Sequence, residues 1–90
     1  MDKLIITVVG KDRVGVIAKV CIYLSENAIN ILDISQTIVG GFFNMIVIAD
    51  PEKCTKDFDT VAEELKAVGN EIGVTITTQR EGIFDAMHRI

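Results

Sequence analysis

Gly40-Gly41 stands between two segments of alternating character, "INILDISQTIV" before it and "FFNMIVIAD" after it. Glycine takes the positive φ of a two-residue hairpin turn without strain, so two such segments around a glycine pair fold back as antiparallel neighbours. In the first of them Leu32, Ile34 and Ile38 fall on one side and Asp33, Ser35 and Thr37 on the other. Whatever precedes and follows must be built around this hairpin.

Upstream, residues 3–9, "KLIITVV", crowd Val, Ile and Thr into an alternating strand, with Leu4, Ile6 and Val8 facing one way and Ile5, Thr7 and Val9 the other. From Val14 the period changes. Ile17, Val20, Cys21 and Leu24 follow the i, i+3, i+4, i+7 stripe of an amphipathic helix over roughly 14–26, with "SENAIN" as its exit. Downstream of Asp50-Pro51, Phe58, Val61, Ala62, Leu65, Val68 and Ile72 mark a second amphipathic helix. Thr55 is its expected N-cap, and Asp57 lies in the favourable first turn. Gly69 interrupts that pattern at a cost of about 1 kcal/mol relative to Ala, and Gly73 is the stop. "VTITTQR" is a fourth strand, and "GIFDAMHRI" is a tail whose Ile83, Phe84, Met87 and Ile90 share one helical face.

The order β-α-β-β-α-β needs a right-handed crossover in each βαβ half. That places both helices on one face of a four-stranded antiparallel sheet, an α+β, ferredoxin-like sandwich. One domain spans residues 1–80, and residues 81–90 form an amphipathic tail of the same domain. The other sheet face is expected to gather Thr7, Asp33, Ser35, Thr37, Thr75 and Thr77 beside Phe43, Met45 and Val47. Such a surface is too mixed for a core and too apolar in one strip to stay bare.

Apolar residues make up 49% of the 90 and the mean hydropathy is +0.38, high for a small protein and suggestive of a surface buried against another copy. No apolar run approaches the ~18 residues that would cross a bilayer, and "LIITVV" is too short for a secretory leader, so the expectation is a cytoplasmic protein. Cys21 and Cys54 form neither a CxxC pair nor a zinc spacing. Nine basic residues against thirteen acidic give a charge of −4. Residues 51–90 alone hold five Lys/Arg and eight Asp/Glu, which opposes the phosphate-neutralising surface that nucleic-acid binders need.

The chemistry of interest lies in "GKDRVGVIAKV", residues 10–20, where a strand runs through a polar elbow into a helix. Unpaired N–H groups and the positive end of a helix dipole attract a carboxylate or phosphate. Gly10 would let the chain turn sharply and Gly15 would let a ligand or another backbone come close. Asp12 adds an anion, so a ligand carrying both charges, such as an amino acid, suits the place better than a bare anion. The elbow is expected next to the beginning of the second strand, where Asn30 is either a turn residue or an amide aimed at a ligand. The plainer alternatives are that Asp12 caps the helix and Gly15 is a packing glycine.

The Gly-x-Asp-x-x-Gly elbow, the "NAINILDISQ" lead into the second strand and the Gly-Gly hairpin together resemble an ACT domain, over residues 1–80. With "IFDAMHRI" at its end the chain resembles the stand-alone ACT proteins of the bacterial and archaeal UPF0237 group. The resemblance implies a non-catalytic regulatory module that senses a small molecule, with two copies paired side by side through second-strand edges and first helices, and an amino acid held between them. The positions it implies are Asp12, Arg13, Val14 and Gly15 of the loop, and Asn30 and Ile31 of the partner copy. Gly10 departs from the pattern, because some ligand-binding members carry a polar side chain there.

Two other readings use the same residues. A dimeric adaptor with a vestigial pocket would dock a regulatory protein, with "IFDAMHRI" as a candidate docking stripe. An acylphosphatase-like hydrolase would use Arg13 to hold an anion and Asn44 to place a water, but the spacing of that signature is absent. His88 stands without a nucleophile or carboxylate at a telling spacing. Asp57, Asp59, Glu63 and Glu64 read as the wet face of the second helix, and Met45 and Met87 as packing, so neither a catalytic group nor a metal or other cofactor is expected.

Overall fold

The computed structural model describes residues 2–11 and 15–82. Six elements follow in the order β1 (Leu4–Lys11), α1 (Val16–Glu26), β2 (Asn30–Val39), β3 (Phe42–Asp50), α2 (Phe58–Ile72) and β4 (Val74–Arg80). The strands form one antiparallel sheet in the order β2-β3-β1-β4, the ferredoxin-like arrangement. At the hairpin Val39 pairs with Phe42 across Gly40 and Gly41, whose φ values of 58° and 83° are those that the glycine pair supplies.

Register decides which residues become core. Leu4, Ile6 and Val8 of β1 stand opposite Ala49, Val47 and Met45 of β3, and Val8 also pairs with Ile76 of β4. All of these are buried, together with Val16, Val20 and Leu24 of α1 and Val61 and Leu65 of α2, so this face of the sheet is the one both helices cover. Phe43, Met45 and Val47 therefore belong to the core and not to the open face, contrary to the expectation from sequence. The open face carries Phe42, Asn44, Ile46 and Ile48 instead, beside Thr7, Asp33, Ser35, Thr37, Thr75 and Thr77. Period two reads equally well in either phase along "FFNMIVIAD", and only pairing with β1 fixes it.

β2 contains an irregularity that pattern reading passed over. Its register slips between Ile31 and Asp33, leaving Leu32 as an extra residue. Ile31 then pairs with Ala49 and Ile34 with Val47, so two isoleucines an odd number apart both reach the helix side.

α1 begins at Val16, two residues later than expected, because Gly15 holds the left-handed conformation at φ 91°. Its buried line is Val16, Val20 and Leu24, while Ile17 stays partly exposed on the flank. The helix ends through Asn27, whose side-chain amide donates to the Tyr23 carbonyl at 2.8 Å, and through Ala28 at φ 57°. α2 is capped by Asp57 and not by Thr55. Asp57 is extended and its carboxylate accepts the Thr60 N–H at 2.8 Å, which holds its pKa below the usual range. Gly73 closes the helix at φ 81°.

Gly69 has a specific reason to interrupt α2. A Cβ there would stand 2.7 Å from the Val74 carbonyl oxygen and 2.9 Å from Ile76 Cγ1, so its absence lets α2 lie directly on the β4 backbone. Gly10 makes a close approach within the sheet, to its cross-strand neighbour Val74. It lies within β1 and not in a turn, and a Cβ on it would meet Val74 Cγ1 at 2.7 Å.

A polar cluster joins the helices. The Tyr23 hydroxyl of α1 donates to Glu64 Oε1 of α2 at 2.8 Å, and Lys56 Nζ donates to the same oxygen at 2.7 Å. Burial, then the bond to Glu64, pushes the Tyr23 phenol well above its ordinary range, whereas Lys56 and Tyr23 together lower Glu64. At the start of α2 the Arg80 guanidinium lies 4.2 Å from the centre of the Phe58 ring, pinning the end of β4 there. No helix among the described residues is long and apolar enough to cross a membrane.

Two predictions follow from this packing. Gly69→Ala should destabilise the fold by about 1–2 kcal/mol in urea titrations, because overpacking against an immovable backbone carbonyl outweighs the ~1 kcal/mol of helix propensity gained. An unchanged or raised midpoint would contradict the close approach. Glu64 is lowered from 4.5, so the stability it adds is present above that value and is lost as pH falls through its folded pKa. The thermal midpoints of wild type and Glu64→Gln should accordingly differ at pH 7 and converge on acidification below 4.5.

Candidate functional site

The elbow follows β1, whose last residue, Lys11, pairs with Phe42. Asp12, Arg13 and Val14 lie outside the described residues. Gly15 is the N-cap of α1, makes no side-chain cap bond, and accepts the Lys19 N–H on its carbonyl at 2.9 Å as the first helical bond. Asp12 is thus three residues upstream of the cap position and is not the N-cap. Nor is Gly15 a packing glycine. A Cβ there would meet nothing within 4 Å, and the residue is needed for its positive φ. The first turn of α1 also contains no acidic residue. Among the described residues, the positive end of this helix therefore has neither a side-chain cap nor a carboxylate within the helix to offset it.

Asn30 does not stand beside this elbow in the chain. It opens β2, is exposed and pairs with Asp50 at the end of β3. β1 and β2 both run antiparallel to β3, so they run parallel to each other, and α1 returns the chain along their length. Eleven helical residues span about 16 Å, which separates Asn30 and Ile31 from Gly15 by roughly the length of the sheet. The expectation of the elbow next to the start of the second strand fails for one chain, because a right-handed β-α-β unit must begin its second strand where its helix ends. Ile31 is half-buried against the core.

β2 is an edge strand, and apart from Ile31 its residues are exposed. Leu32, Ile34, Ile38 and Val39 are all exposed large apolar residues, joined by Ile17 and Ile22 of α1. Asp33 is the one charge in the strand and it contains no proline, so its outer N–H and C=O groups are unprotected against pairing with another strand. The two helices cover mainly β1, β3 and β4, which leaves this flank bare.

A cavity of about 740 Å³ opens at the opposite end of the sheet from the elbow, lined by Asp2, Lys3, Asp50, Glu52, Cys54 and Glu81 among others. Its lining is acidic, yet no group of three or more His, Cys, Asp or Glu among the described residues is placed to hold a metal ion. Cys21 and Cys54 are free thiols. Asn44 lies on the open face of the sheet, between Val9 and Thr37 in register and away from the helix side into which the elbow leads. His88 lies outside the described residues.

Known proteins share this fold. The family model for the ACT domain matches residues 2–79. A UPF0237 protein of Bifidobacterium longum is 56% identical over 90 residues, covering all of both chains. Among solved structures, an ACT domain protein from Streptococcus pneumoniae superposes with a TM-score of 0.82 at 40% identity, covering 96% of this chain and 97% of that one. A candidate glycine cleavage system transcriptional repressor matches at 25% identity with a TM-score of 0.71, over 87% of this chain and 44% of that one. A βαββαβ sheet with a glycine-started first helix, matched by that family model and at full length by the Bifidobacterium longum relative, makes the chain a member of the ACT domain family, in its UPF0237 group.

Proposed function

We propose that the chain is a non-catalytic regulatory module that binds an amino acid, or a zwitterion like one, at the seam between two copies. The observation that carries this reading is that the uncapped start of α1 and Asn30 lie at opposite ends of one protomer while the edge between them is bare. Antiparallel pairing of β2 with the β2 of a second copy, about a two-fold axis, brings the start of one strand alongside the end of the other. The end of β2 shares its row of the sheet with Phe42 and Lys11, from which the elbow leaves. The partner's Asn30 and Ile31 then approach the Asp12, Arg13, Val14 and Gly15 loop. The pairing also satisfies the unpaired groups of both edges.

In such a seam the amides opening α1 take the ligand's carboxylate, Asp12 its ammonium group, and the Asn30 amide completes the polar contacts. Membership of the ACT domain family supports a regulatory role, as does the likeness to a protein described as a transcriptional repressor. A ligand that prefers one arrangement of the two copies shifts that equilibrium by its difference in affinity, which is all a regulatory module requires.

Calorimetry against the common amino acids should give heat and a thermal shift with at least one of them. Asp12→Ala and Asn30→Ala should each weaken binding about 10-fold or more, the loss of one charge-assisted bond, with circular dichroism unchanged. A heterodimer of one Asp12→Ala chain and one Asn30→Ala chain should regain one site of wild-type affinity, because one of the two sites in its seam combines intact residues from both copies. No heat with any amino acid would sink the sensing role and leave a protein-binding adaptor as the reading. Binding that the heterodimer does not restore would place the site within one copy.

A further inference from the structure

The Gly40-Gly41 turn fixes which backbone groups of β2 point away from the sheet. A turn of two residues closes on a pair that exchanges both N–H···O bonds, so Val39 and Phe42 direct theirs at each other. Bonded and non-bonded pairs alternate from there along the ladder, which turns the backbone groups of Asp33, Ser35, Thr37 and Val39 toward β3. Those of Ile34, Gln36 and Ile38 point outward, along the open edge. The side chains of these three residues stand opposite Val47, Met45 and Phe43, so they leave the sheet on its helix side, where Ile34 is 39% exposed and Ile38 53%.

Few registers let a second β2 use this edge. Antiparallel edges exchange bonds only where outward residues face outward residues, and a slip of one residue sets each of them against one turned inward. With Gln36 facing the partner's Gln36, Ile34 faces the partner's Ile38 on both sides of the axis, and every outward residue between the bulge and the turn is paired. A slip of two residues one way sets Ile38 against the partner's Leu32, the extra residue of the bulge, and the other way sets Ile34 against the partner's Gly40 in the turn. Either slip leaves a row unpaired. The centred register also sets Asp33, the one charge of β2, against the partner's Val39, which keeps the two carboxylates at opposite ends of the pairing. On the axis two glutamine amides meet, each with a donor and an acceptor for the other.

We propose that two copies join by antiparallel pairing of β2 with β2 centred on Gln36, with Ile34 of each packed against the partner's Ile38 on the helix side. This register rests on the reading of the β2 edge as the seam and specifies it. It sets the start of each β2 beside the partner's Gly40-Gly41 turn, the end of the sheet at which Lys11 leads into the elbow.

Amide hydrogen exchange and isotope-filtered Overhauser spectra of the full-length chain, the latter on a mixture of labelled and unlabelled copies, test the seam and its register separately. The Ile34, Gln36 and Ile38 amides should exchange slowly in a concentrated sample and speed up on dilution. Contacts between copies are expected from the Ser35 Hα to the partner's Thr37 Hα, a non-bonded pair where the strands lie closest, and from Ile34 methyls to the partner's Ile38 methyls. Ile34→Lys with Ile38→Glu should stay dimeric in sedimentation equilibrium at concentrations where Ile34→Lys with Ile38→Lys is monomeric, because the facing pairs are of opposite sign in the first and like sign in the second. Equal dissociation of the two would overturn the register. So would Hα contacts of Ser35 with the partner's Ser35, or of Thr37 with the partner's Thr37, which report a slipped pairing and leave the seam standing. Fast exchange of all three amides at every concentration would overturn the register and the seam together. Slow exchange with no contact between copies along β2 would do the same, the edge then being covered from within its own chain.

Discussion

Four strands present two faces and two edges, and the described chain supplies two helices, both to one face. This inequality shapes the rest of the molecule. The interior is the layer between β1, β3 and β4 on one side and α1 and α2 on the other, and α2 closes onto it because Gly69 has no side chain to hold its backbone off the Val74 carbonyl. Within the sheet, Gly10 accommodates its cross-strand neighbour Val74. With the helices drawn toward β4, little is left to cover β2, and an edge strand rich in isoleucine remains open.

The same arrangement sets the electrostatics of the elbow. An N-terminus is ordinarily quieted by a side-chain oxygen at the N-cap, as Asp57 does for α2. α1 has glycine there, in a conformation that an L side chain rarely adopts, and the space around it is open. Among the described residues this end of α1 has no side-chain cap. The helix is instead secured at its far end, where Asn27 closes the last turn and Tyr23 shares Glu64 with Lys56. A helix anchored at one end by packing and polar contacts can leave polar groups exposed at the other.

Much of the fold was legible in the amino-acid order. The Gly-Gly hairpin, the helical stripe of α2 and its stop at Gly73 are local matters, settled by φ preferences and by periods of two and 3.6. The candidate site was legible in its residue types and not in its geometry. Gly15 was marked by the elbow motif, but whether it served packing or conformation depended on space that no sequence specifies. Asn30 was marked as well, yet its distance from the elbow follows from the direction in which α1 returns the chain. Thr55 was the expected cap and Asp57 a first-turn residue, but the cap is Asp57, whose carboxylate accepts the Thr60 N–H.

By itself, then, the sequence determined the order and kinds of elements and the turn at Gly40-Gly41, because each depends on residues within a few positions of one another. Tertiary structure alone decided that Phe43, Met45 and Val47 are core while Ile46 and Ile48 are not, that Leu32 is an extra residue, and that Gly10 and Gly69 are points of close approach. Those outcomes rest on register and on the distance between layers. Both are properties of strands and helices far apart in the chain, and a period of two or 3.6 carries no information about which phase its partner will choose.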